Sequence, residues 1–208
     1  MIIEKLSPSP DRAGRYVIRF DDGSVLRLYR QTVEDFGIYT GKELTDVEFH
    51  QLQLAAGKMS AKMRAVRIVA ASGVSKIDLQ HRLIQKGETP ESAKDAVEWM
   101  EQLDLIDDRK TAQQVVGCCI RKGYGIARAK QALYEKRLPR ELWEEALSDY
   151  PDQTEYIRFF LTEKLPSEPE QRDVRRAIDA LIRRGHPYSH IRRCLEQLRV
   201  DTEDLPEE

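Results

Sequence analysis

At 208 residues, 40% hydrophobic and 34% charged, the chain is too apolar for disorder and more highly charged than one compact globule requires. Its formal net charge of -2 excludes a bulk attraction for nucleic acid, so any binding to a polyanion must come from local patches. The cysteines Cys118, Cys119 and Cys194 are too few and too badly spaced for a disulfide framework, which fits a reducing compartment.

The first residues, MIIEKLSPSPDR, lack the basic start and apolar run of a signal peptide. No stretch approaches the roughly 18 apolar residues that span a bilayer, so the cytoplasm is the expected location. Ile2 and Ile3 begin a short apolar run, broken by Pro8 and Pro10. Runs at Arg15 to Phe20 and Ser24 to Leu28 flank Asp21-Asp22-Gly23, a strong hairpin signal. A small β-hairpin is expected here, with a third strand over 2–6. Residues 32–38 suggest a short helix ending near Gly37. Thr45 with Glu48 three residues on forms a capping-box pattern, followed by Val47, Phe49, Leu52 and Leu54. Gly57 is expected to interrupt this helix, with a second running from about Ser60 to Ala71.

The remainder repeats itself. Three segments superimpose: Leu79, Leu83 and Gly87 followed by Pro90; Ala129, Leu133 and Arg137 followed by Pro139; and Ala177, Leu181 and Gly185 followed by Pro187. In each, a helix ends in a basic turn, and a proline stands near the first turn of the next helix, where its missing N–H matters little. One more helix precedes each pair, at 60–71, 109–122 and 153–165. The fold expected is mostly α: tandem three-helix repeats in an elongated curved array, with a small N-terminal β-hairpin. The boundaries read as 1–58 for hairpin and leader helices, 59–107, 108–150 and 151–200 for three repeats, and 201–208 for a frayed acidic tail.

No catalytic constellation stands out, and no cofactor or metal is expected. Gly123-Tyr124-Gly125 lacks the preceding strand and further glycines of a phosphate loop and reads as a helix–helix turn. Asp107 and Asp108 are adjacent, so they do not face one another on a helix, and one of them suits the N-cap of the helix from Arg109. His186 and His190 are four apart, but Pro187 lies between them and no third ligand is near, so they read as surface or capping histidines. Cys119, Cys194, Trp99 and Trp143 read as core residues.

Charge distribution says more. Between Arg109 and Arg140 the only acidic residue is Glu135; residues 141–170 are dominated by acids, and 171–199 by arginines. Segregated arginine pairs suit phosphates or carboxylates, which a guanidinium bonds bidentately.

The stretch KIDLQHRLIQKGETPESAKDAVEWMEQLDLIDDRKTA, residues 76–112, resembles the core of the RecX family of recombination regulators. The family pattern falls on Ser75, Leu79, Leu83, Lys86, Gly87, Leu103, Ile106, Asp107, Asp108 and Ala112. Arg121-Lys122-Gly123-Tyr124-Gly125 is similar to the family's Lys-Gly-x-Gly turn. Lys136-Arg137-Leu138 departs from its usual Lys-Gly-Ile, with Arg137 in place of the glycine. With the leader Val33 to Ile38 and Gly41 to Leu44, the resemblance covers about residues 15–198.

The resemblance implies a non-enzymatic regulator that binds the RecA–DNA filament in its groove. Such a protein usually inhibits ATPase, strand exchange and coprotease activity, and through them recombination, repair and the SOS response. The contacting residues expected on that basis are Arg121, Lys122, Arg128, Lys130, Arg183, Arg184, Arg192 and Arg193. DNA contact is expected to be weak or through the filament, no membrane is involved, and the chain is expected to be a monomer. The rival readings are a helical protein acting directly on DNA, distinguished by salt-sensitive binding to bare DNA, and an adaptor for some other protein.

Overall fold

A computed structural model describes residues 1–10 and 14–200; the tail expected at 201–208 lies outside them. The chain divides into two compact units, Met1–Ile106 and a second beginning at Asp107.

The first unit opens on three antiparallel strands in sequential order, β1 (Ile3–Pro8), β2 (Arg15–Phe20) and β3 (Val25–Tyr29). The expected hairpin is thus a three-stranded sheet, and its extra strand runs past the expected end at residue 6. Pro8 is tolerated because β1 is an edge strand, where a missing N–H need not break a ladder; it pairs with Tyr16. The β2–β3 turn is the Asp-Gly turn read from sequence: Gly23 has φ 78, and the Phe20 N–H donates to the Ser24 carbonyl at 3.0 Å. One face of the sheet buries Ile3, Ile18, Phe20 and Leu28 against Val33 of α1 (Arg30–Asp35) and Leu52 of α2 (Asp46–Ala71). That burial supplies what a bare hairpin lacks in water.

Helix α2 starts at the Thr45 capping box, with the Thr45 hydroxyl accepting from the Glu48 N–H and the Glu48 carboxylate accepting from the Thr45 N–H at 2.8 Å. It then runs unbroken through Gly57 to Ala71, so the expected interruption is absent and the 58/59 boundary falls within one helix. A glycine inside a helix costs about 1 kcal/mol relative to alanine, and packing against α4 (Pro90–Gln102) offsets it: a Cβ at Gly57 would lie 3.5 Å from the Ser92 hydroxyl. Helix α3 (Lys76–Gln85) is capped by Ser75 and α4 by Thr89, with Pro90 in its first turn. Together α2, α3 and α4 enclose Ala61, Ala65, Leu79, Leu83, Ala96 and Met100. Trp99 packs half-buried at the edge of this cluster, with the Lys62 ammonium 5.2 Å from its ring.

In the second unit, α5 (Asp108–Arg121) begins at Asp107, whose carboxylate accepts from the Arg109 and Lys110 N–H groups. Those bonds, led by the one from Lys110, hold its pKa below the ordinary aspartate value. Helix α6 (Ile126–Glu135) follows. The third helix expected from Pro139 is instead a 3₁₀ turn (Arg140–Leu142) running into a short α7 (Trp143–Leu147). Trp143 fixes this geometry by packing beside Ala112, Val116, Leu133 and Leu138 while its indole N–H donates to the Leu138 carbonyl at 3.0 Å. Helices α8 (Thr154–Lys164), α9 (Gln171–Arg183) and α10 (Tyr188–Gln197) enclose a further cluster of Ile157, Leu161, Ile178, Leu181, Ile191 and Leu195.

Candidate interaction surface

The basic turn after α5 and the basic turn after α9 meet. The Gly125 N–H donates to the Arg184 carbonyl at 2.9 Å. This approach needs glycine on both sides: a Cβ on Gly125 would lie 2.0 Å from the Gly185 oxygen, and one on Gly185 would lie 2.3 Å from the Arg128 nitrogen. A Cβ on Gly123 would clash with the Tyr156 ring, 2.0 Å from its nearest carbon. Two further bonds close the junction. The Tyr150 hydroxyl donates to the Tyr124 carbonyl at 2.6 Å, and His186 Nε2 lies 3.0 Å from the Gly123 carbonyl.

A carbonyl oxygen only accepts, so Nε2 carries the His186 proton. The ring is 4% exposed, stacked on Tyr156 with centroids 5.6 Å apart, and its Nδ1 has no partner among the described residues. The expectation of a surface or capping histidine is therefore corrected at His186, a buried part of the junction; His190 is exposed. Local pattern hides this because the partner is the carbonyl of residue 123, far away in sequence. Burial pulls the His186 pKa below its ordinary value, against the Gly123 bond, and the charges on Arg184 and His190 act in the same direction as burial. Burial pushes the Tyr150 hydroxyl up to about 12.

The junction brings together Arg121, Lys122, Arg128, Arg183 and Arg184. Of these, Arg121, Lys122 and Arg183 are exposed. Arg128 pairs with Glu135 at 2.9 Å. Arg184 is half-buried, with its guanidinium 5.1 Å from the Phe160 ring centroid and donating to the Tyr156 hydroxyl. These two hold the fold as well as charging it. The other three lie elsewhere. Lys130 borders a shallow groove with Arg140 over a floor of Ile126, Trp143 and Leu147. Arg192 pairs with Glu196 on α10 at 3.3 Å, and Arg193 is exposed on the same helix.

Such an arrangement presents guanidinium and ammonium donors to an anion. Burial raises the pKa of Cys119 and Cys194, so both remain thiols rather than nucleophilic thiolates. Among the described residues, no group of three or more His, Cys, Asp or Glu side chains is placed to hold a metal ion, and no helix is long and apolar enough to cross a membrane.

A family model described as the second three-helix domain of RecX matches residues 107–147, which carry the first of the two docked turns. A protein named regulatory protein RecX from Chlorobaculum tepidum is 32% identical over 143 residues, spanning 67% of this chain and 88% of that relative. The chain belongs to the RecX family. A second relative of the same name, from Clostridioides difficile, is 25% identical across 94% of this chain and 93% of its own. A crystal structure of regulatory protein RecX matches with a TM-score of 0.65 at 19% identity, covering 95% of this chain and 98% of that one. The RecX structure from Lactobacillus salivarius matches with a TM-score of 0.60 at 21% identity, over 70% of this chain and 98% of that one. These two likenesses establish the RecX fold: mostly helical, with a small N-terminal sheet.

Proposed function

We propose that this RecX-family chain is a non-enzymatic regulatory protein that binds the RecA–DNA filament and inhibits its ATPase, strand exchange and coprotease activity. By that route it restrains recombinational repair and the SOS response. Its helices from α2 onward act as three three-helix repeats that follow the N-terminal sheet in the chain. It works as a monomer in the cytoplasm, where its free cysteines are at home. The observation that supports this reading most is the docked pair of basic turns. Arg121, Lys122 and Arg183 sit on a junction held by the Gly125-to-Arg184 backbone hydrogen bond and by the Tyr150 and His186 side chains, so the backbone that carries them is held in place before any partner arrives, and such preorganisation reduces the entropy lost on binding. Arg128, Lys130, Arg184, Arg192 and Arg193 complete the proposed contact set.

The test is DNA-dependent ATP hydrolysis by RecA on single-stranded DNA, titrated with this protein at two salt concentrations. Inhibition at less than one molecule per RecA protomer supports a filament regulator. No effect on RecA, together with tight salt-sensitive binding to DNA alone, would leave a DNA-binding helical protein in its place.

A further inference from the structure

We propose that a groove on the first unit, walled by the second half of α2 and the second half of α3, binds the phosphodiester backbone of nucleic acid. The site lies outside the contact set above and stands whether or not the filament reading does. Its walls carry Arg64, Arg67, Arg82 and Lys86, its floor is Ile68 and Ala71, and no carboxylate lines it among the described residues.

Three of the four cations are held in place from behind. Arg64 pairs through Nε with Glu88 at 2.9 Å and donates through Nη1 to the Lys86 carbonyl at 2.6 Å. The Glu88 side chain is only 8% exposed and also accepts from the Ser60 hydroxyl at 3.0 Å. Arg82 Nη2 lies 2.8 Å from Asp78, itself a buried residue of α3. Arg67 donates to the Tyr29 hydroxyl at 2.8 Å, which ties it to the sheet. These bonds engage one or two of the five donors on each guanidinium and orient the rest. Two backing carboxylates against four cations leave the groove positive.

The ligand follows from what the groove offers. A protein anchor needs a deep, dry pocket for an aromatic or aliphatic side chain, and the floor here is one isoleucine and one alanine in an open trough. What is present is a set of forked donors, which matches phosphate oxygens. A phosphodiester chain has a charge at every residue, so successive phosphates can engage the four cations together.

The test uses the full chain and a fluorescein-labelled oligo-dT of roughly 20 nucleotides, read by anisotropy across a salt series. The variant is Arg67→Gln with Lys86→Gln, which leaves the Arg64–Glu88 and Arg82–Asp78 pairs intact; Arg30→Gln with Lys94→Gln removes the same charge outside the groove. The groove variant is expected to bind about tenfold or more weakly at low salt, with the slope of log affinity against log salt reduced by roughly 1 to 1.5. The control variant should stay near the unaltered chain, and thermal melting should show all three folded alike. Equal affinity and slope in the two variants overturns the proposal. So does a loss of RecA inhibition in the groove variant with oligonucleotide binding intact, since the groove would then contact protein carboxylates. If the unaltered chain has no effect on RecA while the oligonucleotide results come out as expected, the filament reading fails and the groove stands.

Discussion

A methyl group added at Gly185 meets two separate penalties. The residue has φ 86, where an L side chain is strained by about 1–2 kcal/mol, and the new Cβ would press into the Arg128 backbone at 2.3 Å. Gly87 has φ 89 with nothing within 4 Å, so there only the strain applies. Gly185→Ala should therefore lower unfolding stability by about 2–4 kcal/mol and Gly87→Ala by about 1–2 kcal/mol, as measured in urea. Equal losses would mean that the two basic turns do not dock.

The buried His186 makes the same junction pH-sensitive. Its folded pKa lies below the ordinary value of 6.5. Between those two values the unfolded chain takes up a proton that the folded chain refuses. Its contribution is thus fully present above about pH 6.5 and is lost as the pH falls toward the folded pKa. His186→Gln keeps an N–H for the Gly123 carbonyl and removes the titration, so the decline in stability below that pH should become shallower. A slope identical to that of the unaltered chain would remove His186 as its source.

Among the elements, the three turns after α3, α6 and α9 show how far local pattern reaches. The basic turns Lys86-Gly87 and Arg184-Gly185 are legible because a left-handed residue after a helix is usually glycine. Arg137 breaks the pattern in sequence but not in space: it adopts φ 53, and the Leu138 N–H reaches the Leu133 carbonyl as Glu88 reaches Leu83 and His186 reaches Leu181. Caps at Thr45 and Ser75 and the Asp107 N-cap are equally local, so they too are visible in the chain. What is not legible depends on a distant neighbour. The β1 strand ends at Pro8 because of its pairing with Tyr16, and α2 continues through Gly57 because α4 packs there. The contact between the two basic turns, with His186 beneath it, is of the same kind. Because the site at Gly57 has room for a Cβ at ordinary contact distance from Ser92, Gly57→Ala should raise stability by about 0.5–1 kcal/mol. A loss of stability in the same urea titration would show that α2 and α4 approach more closely than that contact allows.

For the whole molecule, a net charge of -2 conceals opposed segments, so electrostatic function belongs to particular turns rather than to the total. That places the decisive substitutions. Arg128 and Arg184 are unsuitable for charge reversal because Glu135, Phe160 and Tyr156 depend on them, and a loss of binding would be confounded with a loss of structure. Arg121, Lys122 and Arg183 are exposed on the same junction and carry no such burden. Reversing all three to Glu should move half-inhibition of the RecA ATPase to about tenfold higher protein or more at low salt, with the difference narrowing as salt rises. Reversing Arg192 and Arg193 on α10 should move it less, because Arg192 already spends much of its field on Glu196. If the α10 pair proves the more damaging, the contact lies on that helix and the junction serves only to hold the fold. If neither set moves the titration, these five residues take no part in filament binding.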